Sequence, residues 1–346
     1  MPTPRSQQVS LSDTPYYHCI SRCVRRTFLC GVDHSTHKDY SHRKQWIVER
    51  LALLSKTFAI EICAYSVMSN HLHLVLKINA PQAQKWHDET VIQHWEQLFS
   101  LPVLVERYHN GECHSEAEQQ RAQEVIQLFR ERLTDLSWFM RCLNEHIARQ
   151  ANAEDHCTGR FWEGRFKSQA LLDEQAILSA MIYVDLNPIR ADICKTLEAS
   201  DHTSIKQRIE HIRETNTKVK AKAKIKTDNS TATVKLSSFI GSSLKADGIA
   251  FALTDYLELA DWTGRIVRDD KRGFIDTSTP AILQKLQLDE DTWMATVQGY
   301  SKGFHSFVGP EEQLKALCQR QKRHWVRGIN VCRKLFKSKL PIPITT

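Results

Sequence analysis

From His71 to Ile78 the chain alternates without a break. Leu72, Leu74, Leu76 and Ile78 fall on one side, and His71, His73, Val75 and Lys77 on the other. Successive side chains of a strand point to opposite faces, so the pattern predicts a strand with one aliphatic face and one face carrying two histidines. Tyr16–Arg22, rich in aromatic and β-branched residues, and Ile60–Met68 predict two more strands. Helical spacing runs through Arg43–Phe58 (Trp46, Ile47, Leu51, Leu54) and Leu136–Ala151 (Trp138, Phe139, Leu143, Ile147). Arg160–Leu171 mixes strand character with arginines and aromatics. Asp173 suits the N-cap of a helix running to about Leu186, and Pro188 stops that helix because the residue before proline avoids the α region. Ala80–Glu131 is polar, with a helical stretch near Ala122–Leu133, and reads as an insertion or an extended crossover.

Glu214–Thr233 spaces Lys218, Lys220, Lys222, Lys224 and Lys226 with small residues, then runs through Thr, Asn and Ser. No core forms from that composition. It reads as a linker between a first domain, 1–213, and a smaller, mostly helical domain, 234–346. Helical patterns recur there around Leu253–Trp262 and Glu311–Leu335. The 346 residues suffice for two such domains, and 41% hydrophobic content supports a buried core. No apolar run reaches membrane-spanning length, and Met1–Pro15 is polar without a secretory pattern, so a cytosolic location with no membrane partner is expected. The ten cysteines include no CxxC pair and are expected to be thiols. The spacing of Cys19, Cys23 and Cys30 fits no common zinc site.

Charge changes the picture through its placement. The net charge is +7, and from Gln313 onward no acidic residue occurs, while Lys315, Arg320, Lys322, Arg323, Arg327, Arg333, Lys334, Lys337 and Lys339 do. A one-signed segment suits a polyanion, because each neutralised phosphate releases counterions. A solvated basic tail is the plainer alternative. Trp262-Thr263-Gly264-Arg265, Arg268 to Gly273 and His324-Trp325-Val326-Arg327-Gly328 interleave basic and aromatic residues in a way that suits DNA contact.

Two segments carry candidate chemistry. His71 and His73, at i and i+2 on one strand face, have the spacing to converge on one metal ion. Alone, such a pair is common in proteins without metal. Tyr183 and Asn187 lie four apart, neighbours on one helix face. Ser179 and Ala180, one turn back, leave room in front of the phenol. A phenol is a weak nucleophile until a metal or base assists it. The plainer alternative is a core-edge tyrosine with an asparagine that ends a helix. Arg22, Arg25 and Arg26 after the first strand, and Arg160, Arg165 and Lys167 before the tyrosine helix, are placed to follow DNA phosphates. Phe161 and Trp162 suit either base stacking or the core, and His18 is a candidate extra catalytic group, against the plainer reading that histidine at a strand start is ordinary.

Four blocks occur together in order: Tyr17-His18 through Arg22; Tyr65-Ser66-Val67-Met68-Ser69-Asn70-His71-Leu72-His73; Gly159 through Lys167; and Tyr183-Val184-Asp185-Leu186-Asn187-Pro188-Ile189-Arg190-Ala191. Over about residues 15–205 the sequence resembles the REP-associated tyrosine transposases. These belong to the single-tyrosine branch of the HUH transposases and relaxases, named for His-hydrophobic-His. The resemblance implies an α+β fold, with a ferredoxin-like or RRM-like antiparallel sheet, the HUH strand central and helices on one face. It implies His71 and His73 as ligands of Mg²⁺ or Mn²⁺, Asn187 as the residue completing the metal site, and Tyr183 as nucleophile. The implied reaction is cleavage and rejoining of single-stranded or hairpin DNA through a 5′-phosphotyrosine, by a monomer or a homodimer. Arg22, Arg160, Arg165, Lys167, Arg323 and Arg327 are the candidate DNA contacts. The long Ala80–Glu131 segment departs from compact members of the family. Two alternatives stay open on the residues alone: a non-catalytic nucleic-acid-binding regulator on the same sheet, and a metal-dependent phosphodiesterase that uses water.

Overall fold

The computed structural model describes residues 4–5, 8–24, 29–32, 37–221, 233–241, 247–268 and 280–336. Arg25, Arg26, Lys222, Lys224, Lys226, Lys337, Lys339 and the 269–279 stretch lie outside them. The chain opens β1 (Tyr16–Arg22), α1 (Arg43–Thr57), β2 (Ile60–Val67) and β3 (His71–Ile78). Four helices follow: α2 (Ala80–Gln84), α3 (Asp88–Glu96), α4 (Val103–His109) and α5 (Glu116–Arg132). Then come α6 (Leu136–Glu154) and β4 (Lys167–Leu171). With α2–α5 set aside, this is a βαββαβ unit, and its strands lie in the order β2-β3-β1-β4, all antiparallel. That is the α+β, ferredoxin-like arrangement with β3 between β2 and β1.

The alternation of β3 sets the two faces. Leu72, Leu74 and Leu76 pair across from Ser21, Cys19 and Tyr17, and all six are buried. Each leucine buried there contributes roughly 1.5–3 kcal/mol. The Asn144 Nδ2 of α6 donates to Ser21 Oγ (2.9 Å), which places α6 over this face. Helix α1 packs beside α6: Arg50 Nε donates to the Cys142 carbonyl (3.1 Å), and the buried Arg43 meets Glu154 (2.6 Å) and Asp155 (2.5 Å).

The expected one-sided helical layer is therefore α1 and α6, and a further helix covers the histidine face. Helix α7 (Glu174–Asp185) is capped by Asp173, whose side chain accepts from the Ala176 N–H (2.8 Å). It is apolar nearly all round, as a helix buried on all sides must be, and Gln175–Asp185 are buried except Ile177. The helix ends at Asp185. Pro188 does not stop the chain in an extended turn; it sits in the first turn of a short helix, α8 (Asn187–Arg190), where its missing N–H has no helical acceptor to lose. Asn187 thus opens α8 and is not part of the tyrosine helix.

The polar 80–131 segment is more ordered than its composition suggests. Its short helices each bury a narrow stripe, Val91, Ile92 and Trp95 on α3, Val105 on α4, and Ala122, Ile126 and Phe129 on α5. Trp95 stacks on Phe129 with centroids 4.0 Å apart.

Beyond α8, helix α9 (Ser204–Ala221) runs into the segment read as a linker. After it come α10 (Leu253–Val267), α11 (Ala281–Lys285), α12 (Glu290–Lys302), β5 (Phe307–Val308), α13 (Glu311–Arg320) and α14 (Ile329–Leu335). The Glu311–Leu335 pattern is two helices, with Gly328 at φ 95° before the second, a conformation that favours glycine. Strand β5 joins the main sheet, parallel to β4 (Ala170↔Phe307, Leu171↔Val308). Residues on both sides of 214–233 share one hydrophobic core. No helix among the described residues is long and apolar enough to cross a membrane.

Asp185 ties these parts together. Fully buried at the end of α7, it accepts from Ser204 Oγ (2.5 Å), the Ile205 N–H (3.1 Å) and the Tyr256 hydroxyl of α10. Tyr256→Phe is expected to cost about 1–3 kcal/mol, because a buried carboxylate loses a donor. Urea unfolding of the two proteins checks this, and identical midpoints would contradict it.

Candidate active site

The site is built on the histidine face of the sheet. The turn before β3 is pinned by backbone bonds: Cys23 N–H to the Asn70 carbonyl (3.0 Å), Cys30 N–H to the Ser69 carbonyl (2.8 Å) and Met68 N–H to the His71 carbonyl (2.9 Å). His71 and His73 therefore leave the strand on one face, opposite Arg22 and Ile20 of β1. Their ring centroids are 4.8 Å apart.

Hydrogen bonds fix the tautomers. Gln169 Oε1 on β4 accepts from His18 Nδ1 (2.7 Å). His18 Nε2 is then the acceptor for His73 Nδ1 (2.9 Å). That leaves His73 Nε2 with a lone pair, buried and with no hydrogen-bond partner. His71 Nδ1 donates to Asn70 Oδ1 (2.5 Å), so its Nε2 carries a lone pair too. Burial, aided by the charge of Arg22, pushes His71 down to about 4. Burial and the neighbouring His18 hold His73 well below the usual imidazole range. His18, fully buried, is pushed down to about 4, with the Gln169 bond opposing. All three rings are neutral at pH 7. Two neutral imidazoles with lone pairs on one face, each held by a hydrogen bond at its other nitrogen, fit a divalent metal ion. Among the described residues no group of three or more His, Cys, Asp or Glu is arranged to hold a metal.

These shifts have a consequence for stability. A folded-state histidine value below the unfolded 6.5 gives stability that is present above pH 6.5 and is lost as pH falls toward 4, where the unfolded chain takes up protons that the folded one refuses. His18 alone contributes roughly 3 kcal/mol across that window. Thermal melts in chelator from pH 7 to pH 4 check this; a flat melting temperature would contradict it.

Tyr183 projects from α7 onto the same histidines. Its ring stands edge-on to His73 (5.6 Å between centroids) and to His18 (6.0 Å). The Arg190 guanidinium lies 4.7 Å from the ring centre. Tyr300 of α12 packs 5.5 Å away on the same ring. The space that Ser179 and Ala180 leave is thus taken by Tyr300, whose hydroxyl donates to the Ala176 carbonyl (2.6 Å) and lies 3.3 Å from Ser179 Oγ. Burial raises the phenol above its ordinary value, while the charge of Arg190, the amide of Asn187 and the charge of Arg22 pull it back. The phenol is protonated at neutral pH.

A cleft of about 360 Å³ joins Arg22, His71, His73, Arg165, Lys167 and Tyr183, all from one chain. Ile20, Glu163, Gly164, Tyr300 and Ser301 complete its wall. Asn187 does not line the cleft. It is buried behind it, with Nδ2 lacking a hydrogen-bond partner of good geometry. Arg160 is exposed and reaches over Gly164, outside the cleft. Arg327 is exposed and lines neither this cleft nor the neighbouring one that shares Arg165 and Lys167; its charge acts on His305, which lines that neighbour. Arg323 is half-buried, 5.9 Å from the Phe307 ring centre, and lines neither cleft. Part of the basic C-terminal segment is engaged within the molecule: Arg320 pairs with Asp13, and Lys315 and Arg333 with Glu311. Phe161 is core and Trp162 is half-buried.

Gln169 and Tyr300 carry no sequence signal, and His18 stood in the sequence only as a candidate extra catalytic group. His18 shares a sheet face with His73, but only strand register reveals that. Tyr300 comes from a distant helix.

No protein-family model and no curated protein matches this chain. Among solved structures, a REP-associated tyrosine transposase bound to a REP hairpin is similar at 13% identity. The match covers 66% of this chain and 94% of that one, with a TM-score of 0.31, a distant likeness.

Proposed function

We propose that this protein is a metal-dependent single-stranded DNA endonuclease and strand transferase of the transposase type. The observation that carries the reading is the convergence, within one chain, of two imidazole lone pairs, a buried phenol and three cations on one cleft. Tyr183 is the nucleophile. Its oxygen bonds to phosphorus, the bond from phosphorus to the 3′ oxygen breaks, the phenolic proton passes to solvent, and the leaving oxygen takes a proton from water. The products are a 5′-phosphotyrosine and a free 3′-hydroxyl. Attack by another 3′-hydroxyl reverses the step, restores the phenol and joins strands, so no external energy source is required.

Mg²⁺ or Mn²⁺ held by His71 and His73 would supply Lewis-acid polarisation of the scissile phosphate. Asn187, buried behind the cleft, would complete that set only by turning its amide oxygen toward the histidines, since its unpartnered Nδ2 is a donor beside the phenol and binds no cation. Arg22, Arg165 and Lys167 hold the flanking phosphates and offset charge as the phosphorus is attacked. Arg190 and Tyr300 fix the plane of the nucleophile's ring. One chain supplies both histidines and the tyrosine, so no partner subunit's tyrosine is required.

The test is covalent capture. With Mn²⁺ and single-stranded hairpin DNA drawn from the sequence flanking its own gene, the protein is expected to form an SDS-resistant complex. EDTA is expected to abolish the complex, and Mn²⁺ in excess to restore it. A complex of equal yield in EDTA would sink the metal-dependent reading.

A further inference from the structure

Gln169, His18 and His73 form one hydrogen-bonded row across three strands. His18 on β1 pairs with Gln169 on β4 and with Val75 on β3, and His73, two residues before Val75, is its diagonal neighbour. All three side chains of the row are buried. Gln169 Oε1 meets His18 Nδ1 at 2.7 Å, and His18 Nε2 meets His73 Nδ1 at 2.9 Å. The two rings lie nearly parallel, 15° apart. The row ends at His73 Nε2, which has no hydrogen-bond partner in the fold.

Such a row has two proton registers. A neutral imidazole carries one N–H and one lone pair, and a primary amide offers an acceptor on one side and donors on the other. With the Gln169 oxygen toward His18, each ring holds its proton on Nδ1, and His73 Nε2 is a lone pair. With the amide nitrogen toward His18, each ring holds its proton on Nε2, and His73 turns an N–H to the place a metal would take. Both registers contain the same protons and the same number of bonds, so the two histidines cannot choose between them. The choice falls to Gln169, and only the first register can bind an ion.

We propose that Gln169 is a positioning residue for the metal site: its amide oxygen, acting through His18, selects the register in which His73 offers Nε2 to the ion. The proposal rests on the metal-dependent reading above. It also assigns His18. That side chain is not a third ligand, since one of its nitrogens is used on Gln169 and the other on His73. It is the relay that carries the choice made on β4 across β1 to the histidine strand. A hydrogen bond at the far nitrogen orients a metal-binding imidazole and raises its basicity. A carboxylate in place of Gln169 would make the same choice but would bury a charge. The amide makes it while neutral.

The experiment reads the register directly. Full-length protein with isotope-labelled histidine is kept in EDTA, and nitrogen–proton correlation spectra show which ring nitrogen of His18 and of His73 bears the proton. Mn²⁺ affinity is measured separately by calorimetry, without EDTA. Wild type is expected to hold both protons on Nδ1. Gln169→Met, close in shape but a weak acceptor, is expected to show a mixture of the two registers and to bind Mn²⁺ about 10–100-fold more weakly. Gln169→Glu, which when ionised can only accept, is expected to return both protons to Nδ1 and to bind Mn²⁺ at least as tightly as wild type. A Gln169→Met protein with the ring protons and Mn²⁺ affinity of wild type overturns the proposal. So does a Gln169→Glu protein as weak as Gln169→Met, because the side chain would then act by its packing alone. Should Gln169→Met not fold, the wild-type spectrum still decides, since a His73 proton on Nε2 overturns the assignment. If the ring protons shift as expected and wild type takes up no Mn²⁺, the register stands and the metal-dependent reading falls.

Discussion

Tyr183→Phe is expected to abolish strand cleavage and the covalent complex, with a loss on the order of 10⁴-fold or more, while DNA binding and stability stay close to wild type. The environment of the residue explains the separation. The ring is held by His18, His73, Tyr300 and Arg190, and phenylalanine keeps every one of those ring contacts. Only the oxygen is lost. The cations placed for phosphates, Arg22, Arg165 and Lys167, are untouched. A water-using phosphodiesterase would go on cutting without the phenol, and a regulator would never have cut. Denaturing gels with end-labelled hairpin DNA separate the three, and residual cleavage at the wild-type rate would exclude the tyrosine mechanism.

His73→Ala is expected to lose cleavage to a similar extent and, unlike the tyrosine variant, to weaken the fold. His73 is buried and is the donor to His18 Nε2. Without it, a buried imidazole nitrogen has no partner, which costs about 1–3 kcal/mol before the loss of packing is added. Mn²⁺ affinity is expected to fall at least about 100-fold, since losing a direct ligand exceeds the usual effect of losing one of its supporting bonds. His71→Ala provides the contrast. It removes the other lone pair but only a hydrogen bond to the adjacent Asn70, on a half-buried side chain. Cleavage and Mn²⁺ affinity fall alike, with a smaller stability cost. Calorimetric Mn²⁺ titration beside urea unfolding reads both quantities; equal unfolding midpoints for the two variants would contradict the buried-chain account.

What the sequence disclosed depended on how local the physics was. The β3 alternation predicted both faces, because side-chain direction along a strand follows from the backbone alone. The cap at Asp173 fixed the start of α7 for the same reason. The end of α7 was legible to within a residue, but the short helix α8 beyond it was not, since proline inside a first helical turn and proline after a helix look alike in sequence. Helices α2, α3 and α4 were hidden because each buries a stripe too short to show a period. Only the Ala122–Leu133 part of α5 was read; Ser115 and Glu118, three apart, are the signal that would have found its start, and both bonds of that capping box form. The His18–Gln169 support of His73 and the Tyr300 wall were illegible for another reason. They depend on the pairing of β4 with β1 and on α12 packing against α7, contacts between residues far apart in the chain.

The most direct measurement is the identity of the residue that carries the DNA. The SDS-resistant complex formed with Mn²⁺ is digested with trypsin and nuclease, and the linked peptide is sequenced by tandem mass spectrometry. The account predicts a nucleotide 5′-phosphate on the phenolic oxygen of Tyr183, together with a free 3′-hydroxyl on the released strand. A nucleotide on Tyr300 or any other side chain, or a released strand ending in a 3′-phosphate, would contradict it.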